Sequence, residues 1–120
     1  MPVMEATHVS LVSATVTGNK TLAVADNGVA QVVTADATLT LPATAAGFNF
    51  TIVCGSQRGN VTINLSPVAA DLIAGNGAAG VDNKDVISTL GNYGDTISVR
   101  GDGANGWVIT EVRGTWTREA

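Results

Sequence analysis

Alternation with a period of two sets the terms for this chain. "DATLTLPA" places Leu39 and Leu41 on one side and Thr38 and Thr40 on the other. "FNFTIVC" aligns Phe48, Phe50, Ile52 and Cys54, and "NVTINLS" aligns Val61, Ile63 and Leu65. "DTISVRG" repeats the pattern through Ile97 and Val99, and "GWVITEVRGTW" supplies a longer last strand. Successive side chains of an extended strand point to opposite faces, so each stretch reads as a half-buried strand. Less regular strands are expected in "HVSLVSATV", "KTLAVA", "VAQVV" and "DVISTL". Turn-forming clusters such as "TGNK", "ADNG", "LPATAAG", "GSQRGN", "SPVAAD", "GNYGD" and "GDGANG" separate them. With no convincing helical stretch, short strands at intervals of about ten residues predict an all-β fold, a small antiparallel β-sandwich or barrel.

A length of 120 residues fits one domain with one core. Residues 17–120 are expected to form that single β domain. Residues 1–16 carry Val3, Met4, Val9, Leu11 and Val12 without strong turn signals. Two readings stand for them: an N-terminal arm that orders against a partner's sheet edge, or the first strand of the domain's own sheet. Residues 74–85, "AGNGAAGVDNKD", have no strand pattern and read as a long surface loop.

Charge is scarce. Charged residues make up 13% of the chain, against about 25% in an average soluble domain, while 45% is hydrophobic. So many small apolar residues with so few charges predict that part of the surface is covered by other copies, in a stable oligomer. A formal charge of -4 with six scattered basic residues excludes a phosphate-tracking stripe for nucleic acid. No apolar run approaches the ~20 residues of a membrane span, and the N-terminus lacks the basic region of a signal peptide. A single cysteine, Cys54, allows no internal disulfide and fits synthesis in a reducing cytoplasm.

Catalytic constellations are missing from the pattern. His8 and Cys54 are the sole histidine and cysteine, too few for zinc, and a nucleophilic pair would need them to meet in the fold. Cys54 falls on an apolar strand face and reads as buried and inert. Asp82, Asp85, Asp95 and Asp102 raise calcium as an alternative, but no closing Glu follows Asp102 in the register of a calcium loop. Asp102-Gly103 and Asn105-Gly106 read instead as turn dipeptides. Paired carboxylates for glycoside hydrolysis and a phosphate loop at "GNGAAG" are weaker still. The chain is therefore expected to have no catalytic residue, no metal and no cofactor.

Both tryptophans lie near the end, Trp107 and Trp116. On one regular strand they would face opposite sides. Trp107 is expected in the core, and Trp116, flanked by charges in "RGTWTREA", at a contact with a neighbour.

The succession "VTADATLTLPATAAGFNFTIVCG", "GNVTINLSPVAADLIAG" and "GDTISVRGDGANGWVITEVRGTW" resembles a module of tailed-bacteriophage virion proteins, namely capsid decoration (cement) proteins and trimeric tail-fibre or spike segments. The likeness spans about residues 36–116, and the order of its pieces is more distinctive than any one piece. "TLAVADNGVAQVV" matches the usual opening loosely. Fibre proteins ordinarily carry the module within a longer polypeptide, so a short chain points to a free-standing decoration protein. The resemblance implies a homotrimer on the outer surface of a virion head, with the major capsid protein as partner. The alternative it implies is a fibre or spike module that binds a host-surface glycan.

Overall fold

Successive strands of this chain go to opposite sheets. In the computed structural model, which describes residues 13–75, 77 and 79–119, β1 (Ser13–Val16) lies in one sheet and β2 (Lys20–Thr21) in the other. The alternation continues through β3 (Ala30–Val33), β4 (Ala37–Thr40), β5 (Asn49–Cys54), β6 (Val61–Ser66), β7 (Leu72–Ala74), β8 (Val86–Gly91) and β9 (Thr96–Gly101). β10 (Gly106–Arg113) then pairs with β9, and β11 (Thr117–Arg118) with β8. The first sheet runs β1-β3-β5-β9-β10-β7 and the second β11-β8-β6-β4-β2. The chain is all-β, as its alternation predicts.

The expected antiparallel pairing is corrected to a mixed one. β1, β3 and β5 pair in parallel, as do β2, β4 and β6, and β7 pairs in parallel with β10. Antiparallel ladders join β5 to β9, β9 to β10, β6 to β8 and β8 to β11. The cause lies in what the short turns do. Residues 17–19 and 34–36 look like hairpin turns, yet they carry the chain across to the other sheet. Parallel neighbours need a long crossover. Here the crossover is a strand of the opposite sheet, so residues 13–66 wind as three stacked coils. Residues 13–16 are thus a strand of the domain's own sheet; residues 1–12 lie outside the described residues.

The stack buries apolar columns between the sheets. Val16, Val33 and Cys54 share one register position, Leu39 stands beside Leu65, and Phe50 stands opposite Val99. These residues, with Leu22, Leu41, Ile52, Ile63, Ile73, Ile97 and Trp107, form one hydrophobic cluster. A buried leucine- or phenylalanine-sized side chain contributes about 1.5–3 kcal/mol.

The second sheet tapers. β2 has 2 residues, β4 has 4 and β6 has 6. Their ends align, with Thr21 beside Thr40 and Thr40 beside Ser66, so their starts step back. Each step exposes a backbone N–H that a shorter neighbour cannot pair. The residue just before the shorter strand closes that gap: Asn19 Oδ1 accepts the Thr38 N–H at 2.9 Å, and Asp36 Oδ1 accepts the Thr62 N–H at 2.9 Å. Satisfying such donors removes the cost of an unpaired backbone group.

At the connection from β2 to β3, the short 3-10 turn Val24–Asp26 runs over the surface without a buried residue. Gln31 points inward and is fully buried, and its amide is met by Lys20 Nζ at 2.7 Å and Asp26 Oδ1 at 3.3 Å. Lys20 also pairs with Asp26 at 3.2 Å. Burial pushes the Asp26 carboxyl up, but the Ala23 N–H, the Lys20 ammonium and Gln31 together hold it below the usual value.

Candidate contact surface

Three turn segments singled out in the sequence, "LPATAAG", "SPVAAD" and "GDGANG", meet at one corner. Asp71 Oδ2 accepts the Thr44 N–H at 2.8 Å, tying "SPVAAD" to "LPATAAG". The Thr44 hydroxyl donates to the Gly106 carbonyl at 2.5 Å and accepts the Gly103 N–H at 3.1 Å, tying both to "GDGANG". Backbones touch here: a Cβ at Gly101 would overlap the Ala45 carbonyl oxygen, and one at Gly106 the Leu72 carbonyl oxygen. Trp107 sits beneath, fully buried, with its ring 5.4 Å from that of Phe50. These contacts make the three segments one packed joint.

At the same corner Asp102 closes its own turn. Asp102 Oδ1 accepts the N–H groups of Ala104, Asn105 and Gly106 at 2.7, 2.8 and 3.0 Å. Those backbone bonds, Ala104 foremost, hold its carboxyl below the usual carboxylate value. Asp102 closes a turn, as its sequence context predicts. Asp95 lies at the other end of β9 and accepts the Asn92 N–H at 2.9 Å. Among the described residues, no three His, Cys, Asp or Glu gather as a metal site.

At the opposite side of the sandwich, a β-bulge sets a leucine outward. Val61 stands opposite Gly91 and Ile63 opposite Ser88, so Thr89 and Leu90 together face Thr62 alone. Simple alternation from Val86 and Ser88 would bury Leu90. The extra residue turns it out to 67% exposure and buries Gly91 in its place. Three residues on, Tyr93 is 65% exposed at the head of a turn. The turn is closed by Asp95 N–H to Asn92 O at 2.9 Å and held to β5 by Gly94 N–H to Cys54 O at 2.9 Å. Gly94 adopts φ +92°, which side-chain-bearing residues rarely adopt. Leu90, Ser88, Thr89, Asn92, Asp95, Gly114 and Thr115 line a cleft of about 300 Å³ beside it. Leu90 and Tyr93 are thus exposed on either side of the end of β8, and tyrosine is among the residue types enriched at the centre of protein interfaces.

The other expected contact residues fare differently. Val3, Met4, Val9 and Leu11 lie outside the described residues, as does His8. Trp116, expected at a contact, is buried to 6% exposure within its own chain and belongs to the same core cluster as Trp107. Two irregularities overturn the parity argument. A bulge pairs Ile109 with Val99 and Glu111 with Ser98, so Thr110 is extra and Ile109 and Val112 both pack on the core. β10 then ends, Gly114 turns the chain at φ +88°, and Trp116 Nε1 donates to the Arg113 carbonyl at 3.1 Å. Cys54 is fully buried as a free thiol. Leu90 escaped the sequence reading because alternation carries no mark of a bulge, and Tyr93 because its segment "GNYGD" reads only as a turn.

Among the described residues no helix is long and apolar enough to cross a membrane. Comparisons of the chain with protein-family models, with curated proteins and with solved structures find no match.

Proposed function

We propose that the protein is a structural component of a phage virion: a decoration protein that sits as a homotrimer on the outside of the head and clamps neighbouring major capsid proteins. The observation that carries this reading is the pair Leu90 and Tyr93, held out from the sandwich by a bulge and a glycine turn. It is supported by the likeness of the sequence to phage decoration modules. The work required of such a protein is binding. A protein that binds only the assembled shell stabilises it by mass action, repeated over many copies. In this reading the N-terminal segment, with Val3, Met4, Val9 and Leu11, is a second contact.

The test is to image virions with the protein labelled. Hundreds of copies spread over the shell agree with decoration; a few copies at the tail would replace it with a fibre role.

A further inference from the structure

β8 points Val86 and Ser88 inward, and Ser88 stands opposite Ile63 of the core. A hydroxyl therefore lies where alternation puts an apolar side chain. Ser88 is buried to 1% exposure, yet its hydroxyl makes no hydrogen bond among the described residues. A buried polar group left unpaired costs stability, so such groups are rare and call for a cause. Ser88 also lines the cleft of about 300 Å³ beside Leu90.

A second group in that cleft is half used. Asp95 Oδ2 accepts the Asn92 N–H at 2.9 Å, while Oδ1 has no hydrogen-bond or ion-pair partner among the described residues. The backbone of Asp95 is pinned on both sides. Its N–H donates to the Asn92 carbonyl at 2.9 Å, and its carbonyl accepts the Cys54 N–H at 2.7 Å. The carboxylate is thus in place before any partner arrives, which lowers the entropy lost on binding. Among the described residues that line the cleft, Asp95 alone is charged.

The chemistry of the cleft selects its occupant. A phosphate or a carboxylate would meet the Asp95 charge with no lysine or arginine in the lining to offset it. A divalent cation would find one carboxylate where it needs several oxygen ligands. An apolar side chain would cover Leu90 but bury the carboxylate and the hydroxyl unpaired. An arginine would satisfy each of them. Its methylenes would lie along Leu90, and its guanidinium, with five N–H donors and no acceptor, would donate to Asp95 Oδ1 and Ser88 Oγ. Two separate acceptors suit that planar fork better than the point charge of a lysine. We propose that the cleft receives one arginine side chain from the protein that Leu90 and Tyr93 contact. The inference deepens that reading of the surface and rests on it for the partner alone.

Nuclear magnetic resonance titration of the full chain with N-acetylargininamide tests it, with the uncharged isostere N-acetylcitrullinamide as the comparison. The arginine probe should shift the amide signals of Ser88, Asn92 and Asp95 with a Kd of about 10 mM, and the citrulline probe should bind about tenfold more weakly. Ser88→Ala loses no side-chain hydrogen bond of the free protein, so it should not lower the melting temperature, yet it should weaken the arginine probe about threefold. Asp95→Asn keeps an oxygen for the Asn92 N–H and should weaken the probe about tenfold. If Asp95→Asn lowers the melting temperature, Ser88→Ala and the citrulline comparison carry the test. The proposal is overturned if the arginine probe shifts none of these signals at about 100 mM, if citrulline binds equally well, or if Ser88→Ala leaves the affinity unaltered. Decoration is read separately, on heads. Ser88→Ala protein that coats heads at wild-type concentration, where Leu90→Ser protein does not, overturns the arginine and leaves the contact standing. Wild-type protein that binds the probe but is absent from virions keeps the cleft and removes decoration.

Discussion

Gly114 lies flat against the carboxylate of Asp95: a Cβ at residue 114 would overlap the carboxyl group itself. The contact locks the end of β10 to the turn that holds Tyr93, because the same carboxylate accepts the Asn92 N–H. Gly114→Ala meets both this overlap and a left-handed φ of +88°. It should cost more than about 1 kcal/mol in denaturant unfolding. Gly18→Ala, which meets nothing within 4 Å, is the neutral comparison.

Trp116 should behave as a core residue. Trp116→Ala is expected to lower stability by about 3–5 kcal/mol, measured by chemical denaturation. Unchanged stability with lost binding to heads would instead restore its role as a contact.

Trp107 and Trp116 should differ in how well they tolerate phenylalanine. Trp116 Nε1 has a carbonyl partner, whereas Trp107 Nε1 is buried with no hydrogen-bond partner among the described residues. Trp107→Phe removes an unsatisfied donor along with part of the ring. It should cost less than Trp116→Phe, as compared by melting temperatures.

Acid should weaken the fold through Asp26 and Asp102. Both carboxyls are held below their usual value, so each contributes stability that is fully present above the unfolded carboxylate pKa of about 4. That contribution is lost as pH falls through the lower, folded value. Asp102→Asn should be less stable than wild type at pH 7, and the gap should narrow as the pH falls below about 4. Melting curves against pH read this directly.

Leu90→Ser and Tyr93→Ala should leave unfolding within about 0.5 kcal/mol of wild type, because neither side chain is spent in the core. On isolated heads the pair should lower occupancy strongly, since an anchor residue is worth about 2 kcal/mol or more. Deleting residues 1–7 separates the second contact: a folded protein that no longer coats heads supports it, and one that coats them normally removes it.

The faces of the strands were legible and their partners were not. Leu39, Phe50, Ile63 and Val99 all point inward as the alternation demands. Nothing in a period of two says whether the turn at residues 17–19 returns the chain beside its own strand or across the core. A signal for the latter was present: Asn19, Asp36 and Asn60 each stand two residues before Thr21, Thr38 and Thr62, which precede Leu22, Leu39 and Ile63. That recurrence marks successive coils, and two of its three Asx residues cap the next strand. Bulges at Thr89 and Thr110 left no such trace, which is why Leu90 was missed and Trp116 misplaced.

Alternating sheets give the molecule a direction under load. Tension on the N-terminus strips β1 and then β2 from their single neighbours, β3 and β4, and each coil released bares the next to the same pull. Tension on β10 must break into the middle of a sheet, between β9 and β7. The chain should unravel stepwise from its first coil at low force and resist as one block from its last long strand.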